Sequence, residues 1–406
     1  MTDDPHDRPA AAPPPGATAG LRRARRRDRR VYLFSHPVLF ALLAATRRTP
    51  VRKLGGTLLV HSQEAFRSGL TRIPLDRTAA GTTGGAAGDL TGGGDLLFNQ
   101  DGDHHRGARR GLADALSAEG VERLRPIWTA VLERRLAPLA TGDPIELVDV
   151  TAELAGTTAA ALLDIDVDPR TLATAARAAA AAAAREHLPG PPRPGARRAA
   201  RTATARLTAL LTGTDSGTGT VSGTGTVSGP GTVSGPDGKT VPDDGAALAA
   251  MLAVAAINTT VAALPRAAAW CADAGLWPYA DSDPEALTAE LLRITAPTPL
   301  LPRVAAAPGT LAGCPVRPGD RLILVARHAV GAHRTDPCPA EPAPAHVTQL
   351  VFGAGPHACP GARLARLQLT DALRYLARHR PRVVAARVDR RSALPGWSHL
   401  TLAPTR

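Results

Sequence analysis

The spacing of apolar residues along the chain predicts a mainly helical protein. Apolar positions recur every three to four residues over long stretches, which is the period of a helix with one buried face. This pattern predicts helices over 101–163, 245–274, 284–295 and 362–379. Seven consecutive alanines at 178–184 predict a further helix, because alanine has the strongest intrinsic preference for helix.

Short runs rich in Val, Leu and Ile predict a minor β component. Residues 51–60 form two such runs around Gly55-Gly56, which is the pattern of a tight hairpin. Two further strands are predicted at 301–307 and 321–326. The predicted fold class is therefore mainly α with a small β region, α+β.

Several segments lack the pattern of a core element. Residues 1–30 are rich in Pro, Ala and then Arg, which predicts a disordered basic tail, and the Gly-rich residues 78–94 predict a long loop. A six-residue Gly/Ser/Thr repeat at about 212–240 predicts a flexible surface insertion, because a short β-solenoid would have too few rungs to bury a core. The apolar run 38–45 is interpreted as a buried helix rather than a signal peptide. The remaining chain, 31–406, is predicted to be one domain.

Composition narrows the classes of function. The formal net charge is +12, but aromatic residues make up only 3% of the chain, and basic residues interleaved with aromatic ones are absent. We therefore predict no nucleic-acid partner. No apolar run approaches the roughly 20 residues that a membrane span needs, which predicts no stable membrane insertion. The four cysteines are Cys271, Cys314, Cys338 and Cys359. They show no CxxC pairing, which favours a reducing, cytoplasmic location over a disulfide framework or a zinc site.

Residues 352–369, FGAGPHACPGARLARLQL, carry the strongest chemical signal. Gly353, Gly355 and Gly361 remove side chains around Cys359, so the backbone can approach a sulfur and a flat cofactor closely. Cys359 also lies just before an amphipathic helix, whose positive N-terminus stabilises a thiolate able to bind haem iron. A buried structural cysteine is the alternative for an isolated cysteine, but this pattern fixes several positions at once.

The order Phe-Gly-x-Gly-x-His-x-Cys-x-Gly resembles the haem-binding signature of the cytochrome P-450 family. The resemblance implies haem b, iron protoporphyrin IX, as the cofactor and Cys359 as its metal ligand. It also implies that Phe352, Gly353 and His357 contact the haem. The likeness extends over about 31–406 and implies a cytochrome P-450-like single domain.

Motifs further upstream extend the resemblance. Glu290-x-x-Arg293 resembles the family's ExxR pair, an acid and a guanidinium on one helix face. Arg303 stands where the family presents an arginine to a haem propionate. His105 and Arg109 resemble the pair on the family's propionate-binding helix. Their spacing of four residues places both on one helical face, as clamping of a carboxylate requires.

The segment that resembles the family's oxygen-activating helix departs from the family pattern. Ala256 replaces the usual glycine and Asn258 replaces the usual acid, whereas Thr259 keeps the hydroxyl. The resemblance implies that these three residues form the catalytic set. Because an amide cannot act as an acid at neutral pH, proton delivery must use water, another group or the substrate.

A second departure follows residues 333–337, HRTDP, which resemble the family segment that precedes its irregular meander. Family members continue with an arginine that bonds to the ExxR glutamate, and CPAEPAPAHVTQ contains none. We therefore expect the Glu290–Arg293 pair to lack its third member and that face to be less stable. Arg334 is the nearest possible substitute.

These features imply a haem-thiolate monooxygenase that hydroxylates or epoxidises a small organic, secondary-metabolite substrate with dioxygen. Electrons would come from a ferredoxin or similar donor with its reductase, because the sequence shows no flavin or iron–sulfur module. The arginines Arg363 and Arg366 would face an acidic ferredoxin. Two alternatives stay open. One is a haem-thiolate oxidase that forms or rearranges bonds without oxygen insertion, and the other is a catalytically idle haem binder.

Overall fold

Helices make up most of the fold, with three small sheets at its edges. The computed structural model describes residues 15–82, 84–85, 106–107, 110, 112–187, 194–213 and 244–405. Within these ranges the architecture confirms the predicted fold class, mainly α with a small β region.

The helices follow one another in an order that alternates with short strands. They are α1 Pro15–Ser35, α2 Pro37–Thr46, α3 Gln63–Thr71, α4 Ala118–Leu136, α5 Leu147–Leu163, α6 Pro169–His187, α7 Ala196–Leu211, α8 Asp244–Ala274, α9 Tyr279–Ser282, α10 Pro284–Thr295, α11 Ala326–Ala329, α12 Ala345–Thr348 and α13 Ala362–Ala377.

The strands of all three described sheets are β1 Val51–Leu54, β2 Thr57–Val60, β3 Leu75–Asp76, β4 Ile145–Glu146, β5 Leu301–Ala305, β6 Gly309–Leu311, β7 Cys314–Val316, β8 Arg321–Leu324, β9 Arg382–Val388 and β10 Trp397–Ala403. The largest sheet has five of them, in the order β1-β2-β8-β5-β3. The predicted hairpin is confirmed, because β1 and β2 pair antiparallel around Gly55, whose φ is +58°. β2 and β8 pair in parallel, so residues far apart in the chain complete the sheet.

The long helix α8 forms the centre of the core. It packs against α1, α5, α6, α10 and α13. The stretch from Gly245 to Ala274 is long and apolar enough to cross a membrane. This finding contradicts the expectation that no apolar run of the chain approaches the length of a membrane span. Half of the most apolar part of α8 is buried inside the protein, so the helix contributes its apolar side chains to the core.

The prediction of a disordered tail at 1–30 is wrong for the part that the structure describes. Residues Pro15–Ser35 form a helix with Val31 and Tyr32 buried. Asp28 is also buried and accepts from Arg266 at 2.6 Å, and Arg27 forms two hydrogen bonds with Asp273, the shorter 2.6 Å long. The partners Arg266 and Asp273 lie more than 200 residues along the chain, so local composition could not show that these charged residues have a place in the fold.

The prediction of a buried helix at 38–45 is only half right. The helix exists as α2, but Leu43 is its one residue classed as buried, and Val38 is 82% exposed.

The helical stretches predicted over 101–163 include two separate helices in the part that is described. α4 ends at Leu136, and a turn containing Gly142, with φ of +93°, separates it from α5. The repeat at 212–240 and most of the 78–94 loop lie outside the described residues.

Candidate active site

Cys359 ends a loop whose backbone geometry depends on glycine. Gly353 and Gly355 adopt left-handed φ values of +78° and +74°, which favour glycine. A Cβ on Gly355 would lie 3.1 Å from Cγ2 of Thr71. The Cys359 amide donates to the carbonyl of Phe352 at 2.8 Å, so the loop closes on itself beneath the thiol.

The Cys359 thiol lies beside positive charge. It is exposed and stands three residues before α13, whose N-cap Gly361 provides no side-chain hydrogen bond to the free N–H groups of the first turn. The guanidinium of Arg366 stacks on the Phe352 ring at 4.7 Å. Burial lowers the pKa of Arg366, and the Cys359 sulfur opposes that shift. Both the helix N-terminus and the guanidinium favour an anionic sulfur.

The Glu290–Arg293 pair on α10 is buried and bidentate. Arg293 Nε and Nη2 donate to the two Glu290 oxygens at 2.9 and 2.6 Å, and both side chains are at most 2% exposed. The backbone N–H groups of Cys338 and Ala343 each donate to Glu290 at 3.0 Å. The expectation of an incomplete network was therefore wrong, because backbone donors occupy the acceptor positions that an arginine side chain would use.

The arginine of this pair is also satisfied. Arg293 Nη1 donates to Thr335 Oγ1 at 3.1 Å, and Nη2 donates to the Asp336 carbonyl at 3.0 Å. Arg334 is not the substitute that the sequence suggested, because its Nε bonds to the neighbouring His333 ring at 3.2 Å. The segment that follows α11 is thus anchored to α10 mainly through backbone atoms, which leave no signature in the sequence.

Arg303 lies on β5, as the sequence predicts, and the structure adds a second arginine beside it. Leu75 pairs with Ala305 and Asp76 with Val304, so Arg77, the residue directly after β3, comes close enough to Arg303 for its charge to act on that guanidinium. Burial and the charge of Arg77 lower the pKa of Arg303 to about 10. Arg77 was missed because only the pairing of β3 with β5, two segments more than 200 residues apart, reveals it.

The structure brings together the helices that carry most of the other predicted site residues. α8, with Ala256, Asn258 and Thr259, packs against α13, which follows Cys359. His357 lies on the Cys359 loop and is half-buried. The predicted propionate contacts His105 and Arg109 lie outside the described residues.

The polar side chains of α8 bond to their own and a neighbouring helix. The Thr259 hydroxyl donates to the Ala255 carbonyl at 2.9 Å. The Asn258 amide donates to the Val254 carbonyl at 2.8 Å and to Ala176 on α6 at 3.4 Å. The amide thus joins two helices. Among the residues that the structure describes, the hydroxyl bonds only within α8, and it can rotate to another acceptor.

The residues present fit a haem. The glycine-rich turns present an exposed thiol at a helix start, which suits an axial thiolate. Arg77 and Arg303 are neighbouring like charges in partly buried positions, and a dianionic group bound to both would relieve their repulsion. A haem carries two propionates, which match that requirement.

Comparison with known proteins shows what this architecture is similar to. No family model matches the chain, and no curated protein sequence matches it. Solved structures do match. The structure of cytochrome P-450 EryK from S. erythraea is 23% identical, with a TM-score of 0.67 over 91% of this chain and 96% of that one.

Two further structures have similar values. Cytochrome P-450 BioI, in complex with an acyl carrier protein, is 18% identical, with a TM-score of 0.71 over 92% of this chain and 99% of that one. A third P-450, from Novosphingobium aromaticivorans, is 21% identical, with a TM-score of 0.67 over 97% of this chain and all of the other.

Proposed function

We propose that this chain, which has the cytochrome P-450 fold, is a haem-thiolate monooxygenase that hydroxylates or epoxidises a small organic molecule with dioxygen. The observation that carries the proposal is Cys359, presented by left-handed glycines at the start of α13. Haem b bound there supplies the activation of dioxygen, and the protein supplies ligation, orientation and exclusion of water.

The loop and the arginines would hold the cofactor. Cys359 would ligate the iron as a thiolate, and Phe352 and Gly353 would form the wall of the loop beneath the ring. Arg303 and Arg77 would bind the propionates through charge-assisted hydrogen bonds. His357, together with His105 and Arg109, would complete the propionate set.

The residues of α8 would line the opposite side of the site. Thr259 would turn its hydroxyl away from the Ala255 carbonyl and donate a hydrogen bond to a ligand held in the site. Ala256 would limit how closely a ligand approaches the helix. Asn258 would keep α8 and α6 together, because its amide bonds to Ala176, and protons would enter through ordered water.

Redox partners and substrate follow from the same fold by analogy. We propose a ferredoxin or similar donor with its reductase, a cytoplasmic location and a secondary-metabolite substrate. Structures with this fold include a mutant EryK in complex with erythromycin B and a P-450 bound to epothilone B, which supports an organic, secondary-metabolite substrate.

The second candidate is a haem-thiolate oxidase that joins or rearranges bonds without inserting oxygen. Asn258 favours this reaction, because its amide stands in place of the carboxylic acid that would deliver protons to oxygen. The amide also bonds to Val254 on α8 and to Ala176 on α6, so it holds these two helices together. The alternative of a catalytically idle haem binder depended on an incomplete Glu290–Arg293 network. It is not favoured, because that network is complete.

Labelled dioxygen separates the two reactions. Compounds that shift the haem absorption on binding would be incubated with the holoenzyme, a surrogate ferredoxin and reductase, and isotopically labelled dioxygen. One labelled oxygen in the product supports the monooxygenase. A product oxidised without the label contradicts it and supports the oxidase.

A further inference from the structure

α2 is apolar on both of its sides, and the part of the chain that the structure describes covers only one of them. Its inner side, with Leu39, Phe40 and Leu43, packs against Leu59 of β2 and Ile323 of β8. That contact attaches the helix to the five-stranded sheet. It accounts for fewer than half of the ten residues of α2.

The outer side of α2 faces away from the protein and carries no polar side chain. Val38, Ala41, Leu42 and Ala45 are all exposed and follow the spacing of one helical face. Val38 is 82% exposed and Leu42 is 41% exposed. A soluble helix with one covered face normally places charged residues on the other, and α2 has no charged residue at all.

The apolar area continues onto the neighbouring elements. Leu33 and Phe34, at the end of α1, are 38% and 46% exposed. On β1, Arg52 pairs with Leu59, so Arg52 and Leu54 lie on the sheet face that α2 covers. We call Leu33, Phe34, Val38, Leu42 and Leu54 the α2 surface.

Cations surround the α2 surface. Exposed arginines stand before it at Arg29 and Arg30 and directly after it at Arg47 and Arg48, and the guanidinium of Arg390 lies 5.1 Å from the Phe34 ring. The chain from residue 29 to residue 63 contains no acidic residue. Apolar residues ringed by arginine are the composition of a helix that lies in the interface of an anionic bilayer.

We propose that the α2 surface docks this protein on the surface of an anionic lipid bilayer, with α2 lying flat and the arginines contacting lipid phosphates. Ten residues are too few to span the hydrocarbon, which needs roughly 20, so the association is peripheral. A second copy of the chain fits poorly, because each copy carries a formal charge of +12 and would bring the same arginines face to face. A convex stripe of Ala, Val and Leu offers no polar group for a protein partner to recognise, whereas lipid requires none.

The test is co-sedimentation of the full chain with phosphatidylcholine vesicles, with and without phosphatidylglycerol, at low and high salt. The wild type is expected to bind only the anionic vesicles, and more weakly at high salt. Val38→Glu with Leu42→Glu should reduce binding to the phosphatidylcholine level. Arg47→Glu with Arg48→Glu should weaken it at least roughly tenfold. Arg197→Glu with Arg198→Glu, two exposed arginines on α7, gives the same net charge and should retain binding.

Several results would overturn the proposal. The first is a wild type that binds both kinds of vesicle equally or neither of them. The same conclusion would follow if the variants in the α2 surface and in the arginines around it bound vesicles as the wild type does. The second is a wild-type dimer, seen by sedimentation velocity, that Val38→Glu with Leu42→Glu dissociates. The third is unchanged vesicle binding in that variant together with lost reduction by ferredoxin. Both positions are exposed, so the unfolding transition of the variant should match the wild type and exclude misfolding.

Discussion

Arg77 carries no recognisable signal in the sequence, but the fold brings its charge close to Arg303. Like charges held close together in partly buried positions repel each other, so the proximity of Arg77 and Arg303 has a structural disadvantage. A bound dianion would convert that repulsion into two charge-assisted bonds. The two forms of the protein should therefore respond differently to loss of one arginine.

Arg77→Gln should leave the unfolding free energy of the haem-free protein unchanged or raise it by up to about 1 kcal/mol. The same change should speed haem transfer to an apomyoglobin acceptor roughly tenfold, since a hydrogen bond to a charged group contributes about 1.5–3 kcal/mol. Arg72→Gln, an exposed arginine on the turn after α3, is the control. A haem-free protein that is destabilised, with haem loss unaffected, would assign Arg77 to the fold alone.

At the scale of elements, a buried ion pair on α10 bonds to backbone groups of the segment after α11 and fixes that segment to the helix. Glu290→Ala would leave Arg293, which is 2% exposed, without its carboxylate. Loss of one member of a buried pair costs about 3–5 kcal/mol, which chemical denaturation should detect. Arg25→Ala removes an exposed partner of Asp336 in the same segment and should cost less than about 1 kcal/mol. Equal losses in the two variants would show that the Glu290 network does not anchor the segment.

A histidine cluster ties β2 to α11 and the following turn. The Nδ1 atoms of His61 and His328 share a hydrogen bond of 2.9 Å, and the rings of His328 and His333 lie 4.5 Å apart. Burial lowers the pKa of His61 and of His333 to about 4. Burial, His333, His61 and nearby arginines lower the pKa of His328 to about 2. The folded cluster is therefore neutral where an unfolded chain would be protonated.

The free energy of unfolding should fall as the pH falls from about 6.5 to about 4, because only the unfolded state takes up these protons. Each such histidine contributes up to about 1.4 kcal/mol per pH unit. His328→Gln should give a shallower pH dependence in denaturation curves, and His399→Gln, at an exposed position on β10, should not. Parallel curves for the wild type and His328→Gln would refute the linkage.

For the whole molecule, local periodicity predicted α8 and α10 and the β1–β2 hairpin nearly residue by residue, because their signals lie within a few neighbouring positions. It failed for α1, because Arg25 and Arg27 of this helix bond to acidic residues more than 200 positions away. Cys359 and Arg303 could be named from spacing and resemblance. The backbone donors to Glu290 and the position of Arg77 could not, because both depend on pairings that only the tertiary structure makes.

The charge of the face beside the Cys359 loop would govern the encounter of the molecule with the proposed ferredoxin. Arg363 is exposed on the first turn of α13, beside the Cys359 loop. Arg363→Glu should slow reduction by an acidic ferredoxin about tenfold at low salt, with the difference shrinking as salt increases. Stopped-flow reduction measures the rate, and Arg198→Glu on α7 makes the same change in net charge elsewhere. Equal slowing in both variants would show that total charge, not this face, controls the encounter.

The absorption spectrum of the reduced protein with carbon monoxide tests the central claim most directly. The wild type should show the red-shifted band of a thiolate-ligated haem, and Cys359→Ser should lack it while keeping the fold by circular dichroism. A purified protein that takes up no haem, or a Cys359→Ser variant that keeps the same band, would contradict the assignment of Cys359 as the iron ligand.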